Sequence, residues 1–514
     1  MSSPPPRPEG SLPPASSVPP ARDTAILDQE TLGSRARLGV LILIGRTVLQ
    51  QVTVLGGTVY LARMLGPGEF GVFWIVQFAL SFFSLFGDAG LGAALIQKRD
   101  TATKVELSTV FWSQLLLALL VAGVVFASAP SVVRFWPDLP ASASWMLRAL
   151  SLSLLFTSLR VIPAILMERE LLFGRLSVID LVLSVSFYGT AVALAHLHYG
   201  SFALVGGVLV QGVAGLITAF VLRPWLPSLC FDSQVLRPIL RFGLAFQAKN
   251  IIGFANGAVM PLYAGRALGQ YPLGIVTWSQ NTAFFPLKLV DILSRVNFPL
   301  LSRLQHDKAA FARTLERTIH VCATVTFFFV ALFLGLGPSL VHVIYGDKWL
   351  PALPTLYVFT CAISIGFLVP IVNGALDAIG KPRVMMLLGL GWTLLNWIAV
   401  TVTMQFKGSA FTFALGYCIH ILVGNLAVVF VVKRLIPEAK LWPRIRAGML
   451  CALVTGFVAR GLLLPWAQGV ISLTAAVLAA VVVFAAAVAI FDRSALLELW
   501  SMLRNRRKSV VEIA

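Results

Sequence analysis

An unbroken offset of 203 residues superimposes one half of this chain on the other. It places Tyr60 on Tyr263, Arg63 on Arg266, Leu65 on Leu268, Gly66 on Gly269, Gly71 on Gly274, Gln77 on Gln280, Phe82 on Phe285 and Asp88 on Asp291. The matched residues lie in or beside long apolar segments, and the offset carries buried charge with it, because Arg46 falls on Lys249. Such a duplication restricts the chain to two like bundles. Six apolar segments separate matched positions, so both copies run the same way. They are expected to be related by an axis along the membrane normal, as in parallel-repeat transporters.

Of the 514 residues, 58% are hydrophobic and only 12% are charged. So few charges cannot cover a soluble core of that size, and an integral membrane protein follows. The formal charge of +18 does not point to nucleic acid, since the Lys and Arg residues form short clusters between apolar stretches and no basic domain. A span takes roughly 20 apolar residues. The stretches 38–62, 69–94, 106–128, 145–166, 173–195, 201–222, 240–264, 271–294, 316–337, 352–375, 384–404, 409–432, 445–464 and 469–491 meet that need. The weakest signal is 145–166, which contains Arg148 and Arg160. Alternate loops carry 29 Lys and Arg on one face and 7 on the other. By the positive-inside rule both termini are cytoplasmic.

The expected fold is thus an all-α integral membrane protein with about 14 transmembrane helices. An N-lobe (38–222) and a C-lobe (240–432) of six helices each form the parallel pseudo-twofold repeat, and two further helices occupy 445–491. Residues 1–34 are rich in Pro and Ser, read as a disordered cytoplasmic tail, and contain no apolar core of a signal peptide. Residues 492–514 read as a basic cytoplasmic tail, and 300–317 as an amphipathic helix lying on the cytoplasmic leaflet. The five cysteines are scattered and the histidines dispersed, so neither a disulfide framework nor a metal site is expected, and no cofactor is implied.

The run YLARMLGPGEFGVFWIVQFALSFFSLFGDAGLGAALIQ (60–97) resembles the N-terminal signature of the polysaccharide-transporter (oligosaccharide flippase, Wzx-like) branch of the multidrug/oligosaccharidyl-lipid/polysaccharide exporter superfamily. LRFGLAFQAKNIIGFANGAVMPLYAGRALGQYPLGIVTWSQ (240–280) and FPLLSRLQHD (298–307) resemble its second-lobe signature. IYGDKWLPA (344–352) and NGALDAIGKP (373–382) resemble the loops flanking the tenth helix. The resemblance covers about 40–435 and leaves the last two spans without a motif. It implies a bacterial inner-membrane flippase, not an enzyme, that carries polyprenyl-diphosphate-linked oligosaccharide of the undecaprenyl type to the periplasmic leaflet. The pathway implied is exopolysaccharide or O-antigen biosynthesis. Membrane lipids, a polymerase and a co-polymerase are the implied partners. A lipid II flippase or a drug/cation antiporter of the same superfamily is the alternative, and a membrane polysaccharide polymerase a more distant one.

The family supplies no motif for glycan recognition, so candidate site residues come from depth and charge. A diphosphate in a low-dielectric cavity needs cations. Arg46 and Lys249 are equivalent and lie roughly 12–16 Å from the cytoplasmic edge by helix rise. Each costs about 2.5–3.5 kcal/mol if it faces lipid at mid-bilayer. Gln50, Gln77, Asn250, Asn256, Gln280 and Asn281 could bind sugar hydroxyls. The alternative is that Arg46–Asp88 and Lys249–Asp291 are ion pairs inside each lobe. Asp180 is a candidate coupling carboxylate or a packed one. Arg160 and Lys288 are read as snorkelling to the cytoplasmic interface. Arg63 and Arg266 are read as interface anchors, with a release-side role as the alternative. Close packing accounts for the matched glycines, and Gly66 and Gly269 suit a left-handed helix C-cap.

Overall fold

The computed structural model describes residues 49–492 except 89, 99 and 101, and does not describe the side chains of 88, 245, 246, 248, 249, 292, 295, 296 and 382. Arg46, the 1–34 tail and all of the 492–514 tail but Asp492 lie outside the described residues, as do the side chains of Asp88 and Lys249. Every regular element described is helical. The first half comprises α1 (49–64), α2 (Pro67–Asp88), α3 (Leu91–Gln97), α4 (Lys104–Val133), α5 (Ala143–Arg169), α6 (Phe173–His196) and α7 (Phe202–Leu222). The second comprises α8 (Ser233–Ala258), α9 (Gly265–Leu268), α10 (Gln270–Ala283), α11 (Phe285–Arg303), α12 (Lys308–Leu340), α13 (Leu353–Gly366), α14 (Leu368–Ala378), α15 (Pro382–Met404) and α16 (Ala410–Leu435). Helices α17 (Leu441–Val458) and α18 (Val470–Phe491) follow. Wider π turns at Val259–Ala264, Val341–Tyr345 and Ala459–Leu463 extend α8, α12 and α17.

Among the described residues eleven helical segments are long and apolar enough to cross a membrane. The other three expected stretches fall short for visible reasons. The first is only partly described, α8 is interrupted by Arg237, Arg241 and Lys249, and 271–294 is divided at Phe284 between α10 and α11. The 145–166 stretch does form a helix, as part of α5. Its Arg148 lies over the Trp145 ring at 4.6 Å and donates to the Phe126 carbonyl at 3.1 Å, which keeps the charge at the helix end. The run 300–317 is not one interfacial helix. Residues 300–303 end α11, the chain turns, and Asp307 caps α12 by accepting from Ala310 N–H. Phe311, Ala312, Leu315 and Ile319 are then buried in the C-lobe core, an environment a helix on the leaflet surface would not give them.

The turns fall at two ends. The upper end holds 65–66, 134–142, 197–201 and the 341–352 segment; the lower end holds 223–232, 304–307 and 379–381. In the first half α2 packs on α4 and α5, α4 on α5, and α7 on α5 and α6. In the second, α13 packs on α12 and α16, α15 on α16, and α11 on α14. One buried core spans both halves near the upper end, with Leu61, Ile75, Val76 and Leu147 from one and Val276, Trp349 and Phe359 from the other.

The seam between the halves is α2 against α10, and it is reciprocal. A side chain on Gly71 would overlap the Gln270 carbonyl oxygen, and one on Gly274 would overlap the Pro67 carbonyl oxygen. Pro67 and Gln270 are themselves 203 residues apart, so one contact is made twice about a pseudo-twofold axis. Only glycine lets two backbones come this close. The two C-cap glycines differ. Gly269 is at φ 84, where glycine is needed, whereas Gly66 is not left-handed and instead donates its N–H to Glu69 Oε2 at 2.5 Å. At the lower end Gly90 abuts the Gly243 carbonyl, and Gln247 donates to the Leu85 carbonyl at 2.7 Å, so the halves also meet there.

Gly71→Ala and Gly274→Ala should each destabilise the protein by about 1–3 kcal/mol through overpacking of backbone against backbone. Gly123→Ala on α4, where a side chain meets nothing within 4 Å, should be neutral or slightly stabilising. Thermal melts of the purified variants check this; equal melting of all three would contradict the seam.

Candidate functional site

Between the halves lies a cavity of about 500 Å³. Its walls come from α1, α2, α6 and α7 on one side and α10, α11, α12 and α13 on the other. They are mostly apolar and rich in aromatic rings. The polar groups on them are few: Thr58, Tyr188, Asn281, Thr282, Lys288 and Tyr345. Thr58 and Tyr188 hydroxyls bond each other at 3.0 Å, and Thr282 lies near the Tyr345 hydroxyl. Asn281 and Lys288 are exposed, and Lys288 carries the only charge among the lining residues. It makes no ion pair with a described residue.

An aromatic cluster roofs the cavity. Trp278 stacks on Trp349 with centroids 4.8 Å apart, Tyr345 meets Trp278 edge-on at 4.9 Å, and Phe70 reaches Trp349 from the other half at 5.8 Å. Above this roof the halves exchange hydrogen bonds in pairs. Trp349 donates its indole N–H to the Ala62 carbonyl at 2.8 Å, and Trp136 donates to the Pro261 carbonyl at 2.9 Å. Arg63 donates to the carbonyls of Ile344, at 2.7 Å, and Val343. Its repeat equivalent Arg266 donates to the Phe135 carbonyl and lies over the Phe135 ring at 4.4 Å. Lys348 donates to the Arg63 carbonyl at 2.6 Å.

Residues 60–354, more than half of the chain, match the family described as polysaccharide biosynthesis protein. The chain belongs to that family. Among curated relatives, the succinoglycan biosynthesis transport protein ExoT of Rhizobium meliloti is 26% identical over 465 residues, 87% of this chain and 91% of its own. The teichuronic acid biosynthesis protein TuaB of Bacillus subtilis is 25% identical over 353 residues, 67% of this chain and 72% of its own. Among solved structures, the lipid II flippase MurJ in an inward closed conformation superposes with a TM-score of 0.70 at 15% identity, covering 89% of this chain and 100% of that one. An inward-facing MATE transporter of the MOP superfamily gives 0.57 at 14% identity, over 76% and 98%. At these identities the likeness is one of fold. Family and fold together make the chain a multi-pass helical membrane member of a polysaccharide-biosynthesis family.

For this family member the polar residues expected to meet cargo divide sharply. Asn281 lines the cavity. Gln50 donates to Ser184 Oγ at 3.5 Å, joining α1 to α6. Asn256 accepts from Asn396 at 3.0 Å, joining α8 to α15. Asn250 donates to Gln247 at 2.8 Å, within the lower contact. Gln280 of α10 lies near the Tyr417 side chain of α16. Gln77 Oε1 is buried and has no partner among the described residues. Asp180 is exposed on α6, near enough to Arg160 for its charge to act there, and the half-buried Arg160 guanidinium lies beside Gly215 of α7. Asp291 is exposed on the wall of a second cavity of about 270 Å³ inside the C-lobe and pairs with no described cation. The proposed pairs Arg46–Asp88 and Lys249–Asp291 involve side chains outside the described residues.

Lys288, read from sequence as an interface residue, is instead on the cavity wall. The break at Phe284, followed by Pro286, starts a new helix that presents it there. The signal in the sequence was the FFP triplet. Gln247 and the two tryptophans left no such signal, because their partners are far away in the chain.

Asn256→Ala should lower thermal stability by about 1 kcal/mol through one lost hydrogen bond and leave transport at the wild-type level. A cargo contact would show the opposite split, so polysaccharide export measured beside a thermal melt decides between them.

Proposed function

We propose that the protein is a flippase that moves a polyprenyl-diphosphate-linked oligosaccharide of the undecaprenyl type across the bacterial inner membrane, toward the upper end. The single observation that carries this reading is the chemistry of the inter-lobe cavity: a long aromatic and aliphatic wall with one ammonium among its described lining residues, Lys288, which pairs with no described residue, and the exposed amide of Asn281. That pattern complements an amphiphile with an anionic head and an apolar tail. Lysine binds phosphate as a point charge and is strengthened by exclusion of water. A cationic drug would call for a carboxylate, and no lining residue is acidic.

The direction rests on charge. The alternate loops that carry 29 of the Lys and Arg in the sequence include those of the lower end, which makes that end the cytoplasmic face under the positive-inside rule and assigns both termini to that side. The upper end is then periplasmic, and the lobes rock about the seam to expose the cavity to each face in turn. The N-lobe 38–222, the C-lobe 240–432 and the helices of 445–491 are the moving and flanking bodies in this scheme. Arg46 and Lys249 are the further cations proposed for the diphosphate. A polysaccharide polymerase and co-polymerase would take the product at the periplasmic face.

Lys288→Ala and Lys288→Glu should each reduce surface polysaccharide at least tenfold without lowering the amount of protein in the membrane, and Lys288→Arg should retain most of it. Normal polysaccharide in both non-basic variants would remove Lys288 from the pathway and with it the reading of the cavity.

A further inference from the structure

We propose that Arg63 and Arg266 form a paired gate at the upper end, each latching the lobes by capping the C-terminus of a long helix in the opposite half. The carbonyls that Arg63 engages, Val343 and Ile344, belong to the π turn that ends α12. The carbonyl that Arg266 engages, Phe135, follows the end of α4. The last carbonyls of a helix have no intrahelical donor, and the negative end of the helix dipole favours a cation. An arginine supplied by another element of the same lobe could satisfy them without closing anything. Here both donors come from across the pseudo-twofold axis.

The reciprocity is the strongest sign of a gate. Arg63 and Arg266 are equivalent under the 203-residue repeat, and α4 and α12 are the corresponding helices of the two halves. Each latch is doubled by a tryptophan running the other way, Trp349 to Ala62 on the end of α1 and Trp136 to Pro261 in the π turn after α8. Arg63 thus donates into the α12 end while the segment after it donates back, and Lys348 adds a third bond to the Arg63 carbonyl. Both latches join the halves at the upper end, where Trp349 of the aromatic cluster also bonds Ala62, so they hold the lobes together beside the Trp278–Trp349 stack. Symmetry makes them a set: opening the seam at Gly71 and Gly274 separates both arginines from their carbonyls together. An upper-end arginine of another kind is present for contrast. Arg148 donates to Phe126 and lies over Trp145, all within one lobe, and spans no seam.

The test is access to the cavity, a readout that does not depend on what the cargo is. Asn281→Cys places a thiol on the cavity wall of the full-length protein. A membrane-impermeant maleimide is applied in turn to intact cells and to inverted vesicles, with the same protein lacking Asn281→Cys as the background for native thiols. With both arginines present, labelling from outside the cell is slow. Arg63→Ala with Arg266→Ala should raise its rate at least tenfold, and either single change should raise it less. Arg148→Ala should leave it unchanged. Arg63→Gln and Arg266→Gln keep side-chain bulk and should move the rate the same way, so a poorly folding alanine variant does not decide the matter; monodisperse elution identifies the variants that count. Unchanged labelling from both faces in the well-folded variants, or an equal rise with Arg148→Ala, would overturn the gate.

Discussion

Two backbone contacts hold the rest in place: the Gly71 helix against the Gln270 carbonyl, and the Gly274 helix against the Pro67 carbonyl. They bring the α2 and α10 backbones so close that a side chain at either glycine would not fit, and they do so twice about one axis. A membrane provides little hydrophobic drive for helix association, because lipid tails solvate apolar side chains as well as other helices do. Close packing of small residues and bonds between polar groups must supply the attraction. The seam uses both, with glycine contacts at α2–α10 and indole and guanidinium donors just above them.

From that seam the cavity follows. Helices pinned together at the upper end and meeting again at Gly90–Gly243 below leave space between them at mid-height, where α1 and α6 face α11 and α12. Its aromatic lining would be costly to expose to water, and its ammonium would be costly to expose to hydrocarbon. A ligand with both characters relieves both costs at once. The same argument accounts for the roof: stacked Trp278 and Trp349 separate the wet upper surface from the cavity without a buried charge.

The repeat, the helical membrane class and the importance of the matched glycines were legible in the sequence because each is a matter of period, composition or spacing. Gly71 and Gly274 stood out by their shared offset, and the structure shows what they touch. The division of labour among polar residues was not legible. Gln50 and Asn256 have the composition of a sugar site, yet each bonds a residue on a helix far away in the chain, Ser184 and Asn396. Depth along the chain placed Lys288 near the interface, whereas it lines the inter-lobe cavity, four residues after the break at Phe284. Arg63 and Arg266 read as interface anchors because a helix-end arginine has that role when nothing faces it; here the opposite lobe does.

Native mass spectrometry of the full-length protein released gently from its own membrane tests the central claim most directly. If the cavity holds a lipid-linked glycan through its one ammonium, the wild-type protein retains a polyprenyl-diphosphate-linked oligosaccharide adduct, and Lys288→Ala retains at least tenfold less of it. Equal retention by both proteins, or adducts of ordinary phospholipid alone, would contradict the account.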